Sequence, residues 1–508
     1  MSERPANTPK DAAAIILLRQ DTDPENPEVF WVQRGFSLAF LPGFYAFPGG
    51  QIDASDAEVD VRNAPNPETA AMISGAAREL FEELGVLAVR GGETLTTGQR
   101  ASLLDDLESG RMSWPALLQH YELYIDADDF TYAGRWVTPP FNARRFDTWF
   151  FLVKCPPKQE PKVIAGELQS GEWRTARNAY DLWMRDLVVA VPPTLHALRT
   201  LGEGITPDLV ERFLSIPQAH GEPARRITFR PNYICFPVRT PTRPPATHTC
   251  CYIVHNSKEM LVFDPGSPYE EEQQALAECI DDMIAEGRRV REIIITHLHP
   301  DHVAGVNALK EHLGGHVPVA AHAQTAEALS DVHVDRLIED NDVITLEGEP
   351  VISLRALHTP GHARGHLCFH DEPRGVLMTG DNIVGVGSVL IDPPEGNMLA
   401  YLNSLERMLA LPMLTVLLGG HGPAMAVPYS KIIEYITHRL EREENITAAV
   451  QAGASTLKDI VERVYTDVSP KAHAMAERAV LAHLEKLRDD GAVYEEQGIW
   501  QHAQNRAR

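Results

Sequence analysis

The densest chemistry in this sequence is His297-Leu298-His299-Pro300-Asp301-His302, where four metal-seeking side chains fall within six positions. Imidazole nitrogen and carboxylate oxygen, without thiolate, suit Zn²⁺ and similar borderline cations. The cluster is too crowded for one tetrahedral ion. His297 and His299 alternate on an extended turn and can share one cation, whereas Asp301 and His302 open a helix and point towards a second. Three more candidates follow: His362 in Thr359-Pro360-Gly361-His362, Asp381 in Thr379-Gly380-Asp381, and His421 in Gly419-Gly420-His421. Two ions about 3.5–4 Å apart, joined by a carboxylate, are a means of activating water for hydrolysis. A second concentration lies upstream in Arg78-Glu79-Leu80-Phe81-Glu82-Glu83-Leu84-Gly85. On a helix Glu79, Glu82 and Glu83 share one face. They make a hard oxygen site suited to Mg²⁺ or Mn²⁺ on a diphosphate.

Both sets need elements to hold them. Ile293-Ile294-Ile295, Val351-Ile352-Ser353-Leu354, Val376-Leu377-Met378 and Val416-Leu417-Leu418 read as buried strands, each followed by a ligand candidate. In an α/β sheet, residues just past the strand C-termini converge on one crevice. The glutamates sit at the end of a long helix stopped by Gly85, in a half that also offers Val29–Val32 and Trp149–Val153 as strands. The last stretch reads helix, helix, strand pair: Leu457 to Tyr465, Pro470 to Arg488 with Val480, Leu484 and Leu487 at i, i+4 and i+7, then Ala492-Val493-Tyr494 and the Trp500 segment. That is the outline of a small winged-helix-like module.

A chain of 508 residues is too long for one core. Between Ile216 and Thr247 it crosses seven prolines and five arginines with a single acid, Glu222, which suits a connector or an anion-facing patch. The net charge of −25 argues against a globally basic nucleic-acid binder. No segment reaches the roughly 18 apolar residues a membrane span requires. Six cysteines without CxxC spacing point to a reduced, cytoplasmic setting.

The order HxHxDH, TPGH, GD, GGHGP resembles the metallo-β-lactamase superfamily across about Ile227 to Ala449. The resemblance implies two Zn²⁺ ions, the first on His297, His299 and His362 and the second on Asp301, His302 and His421, with Asp381 bridging. It also implies that Asp301 positions the attacking hydroxide and that Asp264 supports a ligand from behind. Gly380–Gly385, Tyr401–Leu405, His421-Gly422-Pro423 and Tyr435–Arg439 look like the β-lactamase-like endoribonuclease branch, which also carries a C-terminal winged-helix-like module. There His366 would donate a proton or hydrogen bond to substrate, or else pack behind the ligands.

Phe47-Pro48-Gly49-Gly50 followed by REx2EExG is similar to the Nudix box, and the likeness extends from about Ala12 to Leu201 towards the CoA-diphosphatase branch. It departs from the box in two places. Gly50 lies 28 positions before Arg78 instead of 14, and Ala70 stands where a glutamate is expected, with Glu68 and Asp53 the nearest acids. Glu167 and Glu172 are further candidate bases, each also readable as a surface acid.

These readings give a multidomain chain of α/β and α+β class. A Nudix α/β/α fold is expected over 10–215, a Pro/Arg-rich connector over 216–247, a metallo-β-lactamase αββα sandwich over 227–449 and the winged-helix-like module over 455–508. The expected function is a bifunctional metal-dependent hydrolase, with Asp301, His366 and Glu79 as catalytic candidates. The Nudix half would take a small-molecule diphosphate with Mg²⁺ or Mn²⁺. The dizinc half would take single-stranded RNA or, as the alternative, an acyl thioester or lactone in the manner of glyoxalase II. Thr456 to Arg508 holds eight basic and nine acidic residues, so a packing or homodimer role for the module stands beside RNA binding. A recognition protein without Nudix catalysis is the reading from another class.

Overall fold

The computed structural model describes residues 8–164, 166–466, 469 and 472–504. The chain separates into two compact units, Met1–Ile234 and Cys235–Arg508.

In the first unit the strand Lys10–Leu18 is buried along almost its whole length. It runs parallel to Phe146–Lys154, with Ile15 opposite Phe151, and antiparallel to Glu28–Arg34 and Gly49–Gln51. Alternate residues of one strand point to opposite faces. Ala13, Ile15 and Leu17 accordingly meet Ala76, Leu80, Phe81 and Leu84 of the helix Pro67–Leu84. Ala14, Ile16 and Leu18 meet Trp183, Leu195, Leu198 and Leu201 on the other side. A strand that is apolar at every position from Ala12 to Leu18 is what a sheet covered on both faces requires. The result is an α/β/α sandwich.

The helix Pro67–Leu84 begins at Asn66, whose side chain accepts from Thr69 N–H, and stops at Gly85 in a left-handed turn at φ 65°. This fixes where the three glutamates of its last turns emerge, beside the Gly49–Gln51 strand.

The second unit holds two sheets. One runs through Tyr233–Arg239, His248–His255, Glu259–Phe263, Arg289–Ile294, Val319–Ala321 and Arg336–Leu337. The other runs through Val343–Leu346, Ile352–His358, Leu367–Asp371, Val376–Gly380 and Val416–Gly419. Phe263 of the first packs edge-on against Phe369 of the second, with ring centroids 5.0 Å apart. The helix Glu270–Ala285 buries Leu276, Ile280 and Met283, and Met398–Leu409 packs Tyr401, Leu402 and Leu405 against Leu357 and Leu377 of the second sheet.

The Pro/Arg-rich stretch is less irregular than its composition suggests. It contains the strands Ile227–Arg230 and Tyr233–Arg239, and the seam between the units falls inside the latter. All seven prolines except Pro237 lie outside these two strands, where a missing N–H removes no ladder bond.

The C-terminal module has helices Leu457–Val464 and His473–Asp489 and an antiparallel pair, Val493–Glu496 with Ile499–His502. Val480, Leu484 and Leu487 are buried with Ile460, Val493 and Trp500, as the helical spacing predicts. Pro470, where that helix was expected to start, lies outside the described residues. Among the described residues no helix is long and apolar enough to cross a membrane.

Candidate metal centres

The strand ends of the second unit deliver their side chains to one place. Ligand atoms of His297, His299, His362 and Asp381 lie within 4.8 Å of one another, and so do those of Asp301, His302 and His421. His299 Nδ1 lies 2.9 Å from both His297 Nε2 and His362 Nε2. Asp381 stands between the two sets. Its Oδ2 lies 3.1 Å from His421 Nε2 and 3.8 Å from His362 Nε2, and its Oδ1 lies 3.4 Å from His302 Nε2. Asp301 Oδ2 closes the second set, 3.4 Å from His421 Nε2.

Hydrogen bonds from outside select the ring nitrogen that faces inward. His302 Nδ1 donates to Asp264 Oδ2 at 2.9 Å, His362 Nδ1 to Leu390 O at 2.9 Å, and His421 Nδ1 to His248 O at 2.8 Å. Thr296 Oγ1 donates to Asp264 Oδ2 at 2.7 Å and faces His297 Nδ1 at 3.0 Å. In each of these four rings the Nε2 lone pair is left pointing into the centre, the arrangement that ligating histidines adopt. Asp264 adopts φ 49° and accepts from Thr296 N–H as well, so a strained residue anchors both flanking histidines. Gly420 permits the approach of its strand end. A Cβ there would lie 2.2 Å from Asp381 Oδ1.

The donor set was tested for a cation on its unsatisfied atoms. His302 Nε2 and Asp381 Oδ1 are buried, lack hydrogen-bond partners and face each other across 3.4 Å. Buried polar atoms are ordinarily paired, and a cation between these two would satisfy both. The residues fit divalent ions.

Charge is balanced within the site. Burial alone would raise Asp381, but His421 and His302 hold its carboxyl well below the usual carboxylate range. Burial would lower His421, yet Asp381 raises it to about 9, and His302 is likewise raised well above its usual value. His362 is pushed the other way, to about 3, by burial and by His299.

The role expected for His366, donation to substrate, does not fit its place. The ring is fully buried, its Nε2 accepts from Asp381 N–H at 3.1 Å, and its Nδ1 faces Thr359 Oγ1 at 3.0 Å. A ring consumed by the protein on both nitrogens offers no proton to a substrate. It positions the backbone of Asp381.

Sequence reasoning missed the Thr242–Arg243 loop beside the site. Thr242 Oγ1 lies 3.4 Å from His421 Nε2, and Arg243 is exposed. His299 is lowered chiefly by burial, with positive charge from His302 and Arg243 adding to it. The basic excess in this stretch was the available signal.

The acidic helix of the first unit is built differently. Arg78 Nη1 binds Glu79 Oε1 at 2.9 Å and Glu82 Oε2 at 2.7 Å, while Glu83 Oε2 accepts from Gly49 N–H at 2.8 Å. The three carboxylates share a face as expected, yet they do not form a third convergent set among the described residues, because Arg78 and Gly49 draw them apart. Burial pushes Glu79 up to about 7 against the pull of Arg78, and Glu83 up to about 8. Gly50 leaves room for Glu79, whose carboxyl carbon would lie 2.5 Å from a Cβ at that position.

Neither Glu68 nor Asp53 makes the close contact to Arg78; the buried Asp56 does, accepting from Nε at 3.0 Å and Nη2 at 2.9 Å. Asp56 was also missed. Its signal was the spacing to Asp53, with which it forms a capping box. Glu167 is exposed but close enough in charge to raise Glu79 and Glu83 slightly, behind burial as the main cause.

Residues 245–421 match the family described as "Metallo-beta-lactamase superfamily", and residues 456–500 match the "Beta-lactamase associated winged helix domain". Over 246 residues the chain is 30% identical to an atrochrysone carboxyl ACP thioesterase from Aspergillus chevalieri, covering 44% of this chain and 71% of that protein. It is 25% identical to a beta-lactamase-like protein 2 homolog from Caenorhabditis elegans, covering 48% and 80% respectively. A solved NUDIX hydrolase from Alicyclobacillus acidocaldarius aligns with 31% identity and a TM-score of 0.35, over 42% of this chain and 97% of that one. The chain belongs to the metallo-β-lactamase superfamily, as a hydrolase of that fold carrying a His/Asp cluster and a C-terminal winged-helix domain.

Proposed function

We propose that the second unit is a two-metal hydrolase whose ions are Zn²⁺. His297, His299 and His362 would hold one, Asp301, His302 and His421 the other, and Asp381 would bridge them. The observation that carries this reading is the sharing of Asp381 between the two donor sets. Bound there, the ions supply a water of lowered pKa and positive charge at the attacked centre. The residues supply the rest. Asp301, fixed beside His421, orients the attacking oxygen; His366 holds Asp381 N–H; Thr242 and Arg243 border the approach of the substrate.

The substrate class we favour is an acyl thioester. A nucleic-acid-binding winged helix offers one helix to a groove. Here the helix His473–Asp489 buries Ala476, Ala479, Ala482 and His483, and its Arg478 binds Asp392. The module also carries no basic excess, and the relative at 30% identity is named as an ACP thioesterase. Cleavage of single-stranded RNA is the second reading, favoured by the match of the winged-helix domain itself. The Zn²⁺-loaded chain is to be offered an acyl-pantetheine thioester and a single-stranded RNA, with His299→Ala alongside. Thioester hydrolysis abolished by His299→Ala is expected. RNA cleavage that His299→Ala abolishes, with the thioester untouched, would replace the first reading by the second.

For the first unit we propose a Nudix diphosphatase that uses Mg²⁺ or Mn²⁺ on Glu79, Glu82 and Glu83, acting on a nucleoside diphosphate or CoA-like substrate. Its support is the burial of Glu79 and Glu83 beside Gly49 and Gly50, where a cation would relieve crowded acids. Hydrolysis of ADP-ribose or CoA that survives Glu82→Gln unchanged would remove this reading.

A further inference from the structure

The segment between Asp381 and the helix Met398–Leu409 carries Leu390 O, the acceptor that fixes the His362 ring and leaves Nε2 facing His299. This segment forms no strand or helix, so something else must hold it. Its fastenings are specific. Arg439 Nη2 donates to Val389 O, Arg364 N–H donates to Glu395 Oε1 at 2.8 Å, and Asn397 N–H donates to Gly361 O at 2.8 Å. Arg364 Nη2 also donates to Pro394 O at 2.9 Å, and Val389 and Ile391 on either side of Leu390 are buried in the core around Leu405. A further fastening comes from the winged-helix domain. Arg478 Nε donates to Asp392 Oδ1 at 2.6 Å, and its Nη2 donates to Pro393 O. The clamp thus closes two residues beyond the carbonyl that orients His362.

Stability does not account for this pair. Its side chains retain 42% and 39% of their exposure, and ion pairs so open to water contribute little to folding. What the guanidinium supplies is geometry, because a planar fork on one carboxylate and one backbone carbonyl fixes position as well as distance. The helix that carries it is seated firmly: Ala482 joins the core around Leu405 and Leu377, and Val480, Leu484 and Leu487 close the core of the winged-helix domain.

We propose that Arg478 is a positioning residue, through which the winged-helix domain holds the 389–397 segment and so sets the His362 imidazole at the metal centre. The domain is then a working part of the hydrolase site, and its lack of a basic excess is consistent with a task other than gripping phosphate. This inference rests on reading His297, His299, His362 and Asp381 as metal ligands.

The test uses the full chain as wild type, Arg478→Ala, Arg478→Lys and Asp392→Ala. Each is stripped of metal, titrated with Co²⁺ and followed by metal stoichiometry and by the visible spectrum of bound Co²⁺. Outer partners of metal-ligating histidines typically shift affinity by about 10–100-fold. Arg478→Ala is expected to weaken one of two ions about tenfold and to shift its spectrum, with thermal unfolding little changed. Arg478→Lys, which still reaches Asp392, should recover most of that loss, and Asp392→Ala should reproduce it. Two ions bound to Arg478→Ala at wild-type affinity and with the wild-type spectrum would overturn the inference. A wild-type chain that binds no Co²⁺ would instead overturn the metal-centre reading on which it rests. Should Arg478→Ala fail to fold, Asp392→Ala, which changes a side chain of the loop alone, decides the question by the same two readouts.

Discussion

The two acidic sites of this chain solve the burial of charge in opposite ways. In the second unit Asp381 is surrounded by histidines, which hold it ionised, while it raises His421 to about 9 despite burial. In the first, burial pushes Glu79 up to about 7 and Glu83 up to about 8, with repulsion from Glu82 adding to the former and from Glu79 to the latter, and with Arg78 and Gly49 N–H as partial relief. One site is a neutralised pair awaiting exchange of its protons for a cation. The other is an excess of acid that a cation would complete. The same metal class would therefore have different consequences at each: ligand geometry in one, relief of repulsion in the other.

The largest effect should come from Asp381→Ala, because this carboxylate faces histidines of both donor sets. Hydrolysis by the second unit should fall by about 10³-fold or more, the scale on which parts of a catalytic unit fail together. Metal stoichiometry of that unit should drop from two to one or none. A variant that kept both ions would break the assignment of Asp381 as the shared ligand. The counterpart in the first unit, Glu83→Gln, should act in two directions. Glutamine can still accept from Gly49 N–H but carries no charge to repel Glu79. Diphosphate hydrolysis should be lost by roughly 10²-fold, while the metal-free unit becomes more stable at pH 8, on the order of 5 °C in unfolding temperature.

The pH responses sharpen the contrast further. Glu79 and Glu83 have folded pKa values raised above the unfolded value near 4.5. Stability from their neutral forms is fully present below pH 4.5 and is lost as pH rises through about 7 and 8. His421 is also raised, so its contribution is present below pH 6.5 and lost only as pH rises through about 9. In metal-free protein, amide exchange of the 67–84 helix should accelerate between pH 5 and 8, with little change around Asp381 until pH exceeds 7. Divalent cation should flatten both curves. Equal responses in the two regions would undo the comparison.

The two sites were also unequally legible in the sequence. The histidines and aspartates were readable because each follows a strand with a buried apolar run, and strand ends in a sheet converge whatever the side chains between them. Glu79, Glu82 and Glu83 were readable as a helix face, yet their separation by Arg78 and Gly49 N–H depends on where Gly49–Gln51 pairs with Lys10–Leu18, which periodicity does not state. Asp56 stayed hidden because its partnership with Arg78 spans 22 residues and replaces an acid expected on the helix itself. Leu390 O and His248 O, which orient His362 and His421, left no trace, since a backbone carbonyl has no residue type. The choice between the two readings of His366 was hidden for the same reason: its acceptor role behind the ligands is set by Asp381 N–H. In the 216–247 stretch, proline density hid two strands, while the arginine excess marked the stretch that carries Arg243.

That charge gives the smallest effect and the finest test. Arg243 is exposed on the loop whose Thr242 approaches His421, and its positive charge is felt at His299. The first unit keeps its nearest arginine, Arg78, buried among acids, where it is structural. Arg243 is instead open to solvent on the loop beside His421. Exposed charges act mainly on encounter and ground-state binding. Arg243→Ala should therefore raise KM for an anionic substrate about three- to tenfold with kcat nearly unchanged, and the difference should shrink in high salt as screening shortens the reach of the charge. Neutral substrates should show no such shift. A loss confined to kcat would place Arg243 at the reacting atoms, and the second site would then depend on an arginine as closely as the first does.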